Sequence, residues 1–406
     1  MLRADENRAL TEVGRGTRMG QLLRRYWMPF LAAAELTQST KTVRLLGEDL
    51  VVFRDGSGRY GLVERSCPHR GADLSLGVVQ ENGLRCVYHG WCFDAAGACI
   101  EQPFERIAHP TAKDKVRAVA YPVVEKAGLL WAYLGPAPAP LVPDWDFFHD
   151  VGYKQIVLAE APCNWVQCQE NSIDPVHFEW LHLRWSEAQG AGGRPPKPHA
   201  EIAFEEAPHG FTYRRQWEGG SPTDELWTIG RVCLWPNALY TGFCEWRVPV
   251  DDTHTRLIAW FNVPLPGDEP FLQERIPCWT TPTHHPDGRP ITSHVLNQDL
   301  ITWIGQGRLA DRSREHLGEG DRGVVMLRRK LFEQAQLVAD GGEPMAVFRD
   351  PARNQRVSLP RAGRALEHPF GRFGKYIAET IAYGQPVELA SDIERVWYER
   401  RPRRQP

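Results

Sequence analysis

Two short runs constrain this chain most: Cys67-Pro68-His69 and, after a gap of sixteen residues, Cys86-Val87-Tyr88-His89. Each places a thiol and an imidazole within one tight segment that reads as the tip of a β-hairpin. Together they are a complete donor set, so the fold must hold two hairpin tips face to face. Two kinds of centre use two thiolates and two imidazoles. A structural zinc ion takes all four donors at once. A [2Fe-2S] cluster instead takes the thiolates on one iron and the imidazoles on the other, which removes negative charge and raises the reduction potential to about −150 to +300 mV.

The flanks favour the cluster. The stretches Cys67-Pro-His-Arg-Gly-Ala-Asp-Leu-Ser-Leu-Gly77 and Cys86-Val-Tyr-His-Gly-Trp91 resemble the Rieske signature throughout. Gly71 and Gly90 are expected to let backbone amides approach the cluster sulfurs. Respiratory Rieske proteins carry an extra disulfide between the two loops, and here Ala72 and Tyr88 stand where those cysteines would be sought. The resemblance is therefore to the oxygenase branch, with Cys67, His69, Cys86 and His89 as cluster ligands.

At 406 residues the chain has room for two domains with a substantial core. Its net charge of −3 carries no nucleic-acid footprint. The basic end, Arg400, Arg401, Arg403 and Arg404, reads as a solvated tail. No run of eighteen apolar residues and no signal peptide is seen, so a cytoplasmic protein without membrane association is expected. Nine cysteines in a chain of this length are an odd number and no disulfide framework. Cys163 and Cys168 match no metal template. Gly14, Gly16 and Gly20 lack the spacing and the preceding strand of a nucleotide loop.

Helical spacing at Met19 to Tyr26 gives way to period-two segments at Val43–Leu46, Leu50–Phe53 and Tyr60–Val63 separated by Gly-rich turns. Val116–Val124 and Leu129–Leu134 follow the second loop. Gly135 to Pro143, with four prolines, marks a linker. Beyond it, Phe211–Trp217 and Arg256–Val263 suggest a second antiparallel sheet. Helical patterns lie near residues 164–182, 321–338 and 371–382. The Gly- and Pro-rich stretch Gly190 to Pro198 reads as a loop that is either a lid or a plain insertion. The expected class is α+β, an all-β Rieske domain followed by an antiparallel sheet flanked by helices, of the helix-grip type. The expected divisions are an N-terminal helical segment (1–35) packing on the catalytic domain, the Rieske domain (36–136) and the catalytic domain (137–406).

A second motif, Asn171, Asp174, His177 and His182, resembles the mononuclear-iron motif of Rieske oxygenases. Its geometry is demanding. Residues five apart on an α-helix point roughly 140° away from one another, so the two histidines can share an ion only if the helix bends, bulges or ends between them. Pro175 supplies a break; equally, Asp174 can be an N-cap with Pro175 at the first helical position. Two histidines and a carboxylate leave positions on Fe(II) open for dioxygen. The family resemblance makes Asp321, at a helix start, the first choice for that carboxylate, with Asp299 and Asp311 in reserve.

The resemblance, to phthalate 4,5-dioxygenase and related aromatic-acid or methoxyarene oxygenases, implies the terminal oxygenase of a multi-component system. A [2Fe-2S] cluster and a mononuclear Fe(II) would use O2 and electrons from a separate NAD(P)H-dependent reductase of flavin or ferredoxin type to hydroxylate an aromatic substrate, carboxylated or phenolic. O-demethylation of a methoxylated aromatic acid is the alternative, and a non-catalytic electron carrier the alternative of another class. The family usually forms head-to-tail rings, here expected as a homotrimer or trimer-based assembly. Asp174 would then link a neighbouring protomer's cluster to His177, beside Asn171. Trp91 and Arg70 suggest a reductase docking patch, with packing an equal use for Trp91. Arg184, Arg215, Arg231 and Arg247 are candidates to hold a substrate carboxylate.

Overall fold

The computed structural model describes residues 1–189, 197–267, 269–362 and 384–400. The helix expected at 371–382 and most of the Gly190–Pro198 stretch lie outside them.

Helices α1 (Ala4–Thr11) and α2 (Arg18–Leu23) open the chain and lead into strand β1 (Trp27–Ala32). Gly20 is required on α2, because a Cβ there would stand 2.2 Å from the Gly14 carbonyl oxygen. The Gly14–Gly20 stretch is thus a packing device. A meander follows: β2 (Thr40–Leu45), β3 (Glu48–Arg54) and β4 (Tyr60–Glu64), joined at its edge by β9 (Ala120–Tyr121). Four short strands, β5 (Val78–Gln80), β6 (Gly83–Arg85), β7 (Cys92–Phe93) and β8 (Cys99–Glu101), make a second small sheet. A third joins β1 to β11 (Leu129–Tyr133) and β10 (Val123–Lys126). The segment expected as one strand over Val116–Val124 is split between β9 and β10, with Pro122 between them.

The later part is built on an eight-stranded sheet. In chain order its strands are β12 (Tyr153–Ala161), β13 (His199–Ala207), β14 (Gly210–Trp217), β15 (Arg231–Leu234), β16 (Ala238–Tyr240), β17 (Cys244–Asp251), β18 (His254–Val263) and β19 (Cys278–Thr280). They lie in the order β13-β14-β15-β16-β17-β18-β12-β19, antiparallel except where β12 meets β19. Helix α3 (Trp165–Asn171), a π-helix (Phe178–Arg184), α4 (Trp185–Ala188), α5 (Glu225–Thr228), α6 (Val295–Gly305) and α7 (Arg322–Ala339) accompany it. On α7, Val324, Leu327, Leu331, Ala335 and Val338 recur at helical spacing and are buried in the main core. The N-terminal segment touches both parts. β1 pairs with β11, while α2 packs on α7 and Tyr26 donates its hydroxyl to the Met345 carbonyl at 2.9 Å. No helix among the described residues is long and apolar enough to cross a membrane.

Candidate functional site

The two Cys/His loops are copies of one design. In the first, the Cys67 N–H donates to the Ala72 carbonyl and the Gly71 N–H returns to the Cys67 carbonyl, each at 2.8 Å. In the second, the Cys86 N–H donates to the Trp91 carbonyl at 2.8 Å and the Gly90 N–H to the Cys86 carbonyl at 3.0 Å. Closing so tight a loop needs a left-handed residue, and Gly71 and Gly90 have φ of +72° and +75°. Their amides therefore serve the carbonyls; the amides that reach the Cys67 sulfur are those of His69 and Arg70. Cys67 and Cys86 are buried, while His69 is half-buried and His89 exposed. Trp91 stacks on His69 with ring centroids 4.2 Å apart.

The four residues fall into two pairs. Burial and the neighbouring Cys86 sulfur push the Cys67 thiol up to about 11. On the other side, the His69 and His89 rings stand 4.5 Å apart. No three of the four donor atoms lie within 4.8 Å of one another, although that is what a single zinc ion requires. Sulfur paired with sulfur and imidazole with imidazole fits a two-iron cluster. All nine cysteines are free thiols, so no disulfide links the loops.

The second motif solves its angular problem with a π-helix. The helical pattern expected through 164–182 ends as α3 at Asn171, breaks, and resumes at Phe178. Asp174 accepts the Val176 N–H at 2.7 Å and so fastens the turn at Pro175 that leads into the restart. From there the backbone closes i→i+5 bonds, the spacing of His177 and His182, so their rings meet on one face with centroids 5.1 Å apart.

The carboxylate they meet belongs to Asp299. Its Oδ1 lies 3.3 Å from His182 Nε2 and 3.7 Å from His177 Nε2. Ligands about 2.1 Å from a shared ion and 90–110° apart stand about 3.0–3.4 Å from one another, so the three atoms are close to ligating positions. Among the described residues this is the one such group of three. The first choice for the carboxylate, Asp321, is corrected by this arrangement. Its Oδ2 accepts the Gly318 N–H at 2.7 Å and fastens the turn that starts α7. It lines the same cleft as Asp174 and His177 but lies outside the ligand cluster. Asp311 is likewise occupied, accepting from the Ser313 backbone and hydroxyl.

Helix α6 positions Asp299 by burying Leu296, Leu300 and Trp303 in a separate core cluster against β12 and β18. Asn171 Nδ2 donates to Asp299 Oδ1 at 3.2 Å. Gln298, which the motif reading passed over, is buried and accepts from His182 Nδ1 at 2.8 Å. That bond leaves His182 Nε2 as the lone-pair nitrogen facing Asp299. Gln298 is itself anchored through Nε2 to Ser186 Oγ and the Thr292 carbonyl. Only its adjacency to Asp299 in sequence could have signalled it. Asp174 Oδ2 lies 3.5 Å from His177 Nδ1, within ion-pair reach but too far for a hydrogen bond.

Electrostatics agree with a cation site. Burial works against charge on both partners, yet Asp299 holds the His182 imidazole above its ordinary value, and His182 with His177 holds Asp299 below its own. A cation seated between them would replace the proton that this donor set favours.

Comparison with known proteins decides the family. A Rieske [2Fe-2S] domain model matches residues 26–112 and a LigXa C-terminal domain-like model residues 290–358. The chain is 52% identical over 371 residues to the 5,5'-dehydrodivanillate O-demethylase oxygenase subunit of Sphingobium sp. (strain NBRC 103272 / SYK-6), covering 90% of this chain and 88% of that one. It belongs to the Rieske oxygenases. Identity to the phthalate 4,5-dioxygenase oxygenase subunit of Pseudomonas putida is 33%, over 82% of this chain and 86% of that relative. The fold matches Pseudomonas putida CBB5 NdmA with a TM-score of 0.58 at 21% identity, over 80% of this chain and 94% of that one. As a Rieske terminal oxygenase the protein carries a [2Fe-2S] cluster and a mononuclear non-haem iron, and works with O2 and a separate electron-donating partner.

Proposed function

We propose that this Rieske oxygenase is the terminal component of an O-demethylase for methoxylated aromatic acids, of which 5,5'-dehydrodivanillate is one. The observation that carries this reading is the 52% identity, across 88% of its length, to an oxygenase subunit named for that reaction. The balance is one methoxy group, O2, two electrons and two protons giving a phenol, formaldehyde and water.

In this reading His177, His182 and Asp299 would hold the mononuclear iron, and Cys67, Cys86, His69 and His89 the cluster. The iron, when bound, supplies oxygen activation, and the cluster supplies electrons. The chain's own residues do the positioning. Gln298 holds the His182 tautomer and Asn171 steadies Asp299. Asp174 and His177 line a surface cleft of about 340 Å³ together with Trp180 and Leu317. Val87 and Tyr88 project from the cluster loop, more than half exposed. Such a tip and such a cleft support a head-to-tail homotrimer in which the cluster of one protomer reaches Asp174 of the next. The division at 1–35, 36–136 and 137–406, a cytoplasmic location and an NAD(P)H-dependent flavin or ferredoxin reductase complete the proposal.

The test is product analysis with a competent reductase on 5,5'-dehydrodivanillate, 3,4-dimethoxybenzoate, phthalate and benzoate. One formaldehyde per phenol formed is expected from the methoxy acids. A cis-dihydrodiol without formaldehyde would overturn the demethylase reading.

A further inference from the structure

Five arginines are buried among the described residues: Arg24, Arg215, Arg247, Arg312 and Arg328. Four of them hold a carboxylate, on Glu48, Glu245, Glu170, and Glu170 with Glu315. Arg215 holds none. It is 2% exposed, its Nε has no partner, and no hydrogen bond or ion pair engages its guanidinium. Arg231 is half-buried and its Nε is also without a partner. A buried charge without a counter-ion is strongly unfavourable, so a site that keeps one is arranged to receive an anion.

The sheet places the two guanidinium groups together. Tyr213 on β14 pairs with Arg231 on β15, and Arg215 lies two residues along β14, so all three share one face. That face looks onto the iron-site π-helix. The Arg215 Cζ lies 3.9 Å from the centre of the Phe178 ring and 5.3 Å from that of Trp217, and the Arg231 Cζ 5.5 Å from Phe178. The Phe178 ring in turn lies 5.2 Å from the His182 ring. Stacking on aromatic rings uses the guanidinium face and leaves its edge of N–H donors free. The other two candidates are occupied, Arg184 by Glu179 and Arg247 by Glu245.

We propose that Arg215, with Arg231 beside it, is the seat of the substrate's carboxylate, and that Phe178 and Trp217 form the aromatic wall along which the acid extends toward His182. Burial, with Arg231 adding to it, pushes the Arg215 guanidinium down to about 9, so it remains a cation at neutral pH. A carboxylate accepting two N–H bonds from one planar fork is the ligand that this geometry suits. The inference rests on the reading above in one respect, that the substrate reacts at His177, His182 and Asp299.

Isothermal titration of the cluster- and iron-loaded enzyme with 5,5'-dehydrodivanillate and with its dicarboxamide tests it. The acid is expected to bind about tenfold or more tightly than the amide. Arg215→Gln should remove that preference, raising KM more than it lowers kcat, and Arg215→Lys should restore part of it. Arg231→Gln, at a less buried position, should weaken the preference in the same direction and serves where Arg215→Gln does not fold. Equal binding of acid and amide by the parent enzyme, or full acid affinity in folded Arg215→Gln, overturns the proposal. Formaldehyde yield is read separately. Ring-hydroxylated product that still depends on Arg215 would sink the demethylase reading and leave the carboxylate seat standing.

Discussion

Cys67, His69, Cys86 and His89 sit in two loops of the same build, each closed within six residues by its own glycine, whereas His177 and His182 wait on a carboxylate 117 residues downstream of the second histidine, at Asp299. Each half of the first set is complete once its own turn forms, and the halves meet where the β2–β4 meander packs against the β5–β8 sheet. The second exists only after α6 has packed on the π-helix. Local donor sets can be recognised as a string of residues; a set closed by packing cannot.

The largest effects should come from breaking either side of this contrast. Asp299→Ala is expected to remove the mononuclear iron and reduce turnover to background while the reduced-state Rieske EPR signal persists, and Cys86→Ser should do the reverse. Asp321→Ala should keep both metals, which elemental analysis reads directly; loss of the mononuclear iron from Asp321→Ala would return that residue to the ligand set.

A smaller change sharpens the role of packing. Gln298→Leu keeps every ligand but removes the acceptor for His182 Nδ1. A weakening of Fe(II) affinity by about 10–100-fold is expected, measured by competition with a chelator. Unchanged affinity would mean that His182 needs no help from α6.

The smallest effect belongs to the local side. Asp73 follows the first cluster loop and caps the turn Leu74–Leu76 through the Ser75 N–H. Asp73→Ala should cost about 1 kcal/mol, as the loss of a helix cap does. Its hydrogen bond from Arg65 is the main cause that holds the carboxyl down to about 2, against an ordinary value of 3.8. A depressed folded value stabilises above the unfolded one, so this contribution is whole above about pH 4 and fades as pH falls toward 2. Acid titration of folding should therefore show the difference between parent and variant shrinking over that window.

Much of the early part of the chain was legible. The strands of the meander fall within a few residues of their period-two segments, because each alternation reports a half-buried sheet face. The cluster loops could be read because a metal donor set plus a glycine forced to positive φ is a local constraint. The iron site was legible only in part. The five-residue spacing of His177 and His182 demanded a departure from the α-helix, and the chain supplies a π-helix after a break at Asp174–Pro175. Nothing in the spacing named that solution. Asp321 looked attractive because an aspartate at a helix start suits a ligand and a cap equally; in the structure its carboxylate accepts the Gly318 N–H of the turn before α7. Arg215 and Arg184 are indistinguishable as letters; one is left unpaired in the core and the other is paired with Glu179.

By itself the amino-acid order singled out the two Cys/His loops, the need for a departure from the α-helix before His182 and the two-part α+β plan, since each follows from short-range stereochemistry. Tertiary structure alone decided that Asp299 joins the two histidines, that Gln298 sets a tautomer, and that one arginine among five is buried without a carboxylate. These depend on which distant surfaces meet when the core closes, and burial makes an unmatched charge or an oriented imidazole costly enough to matter.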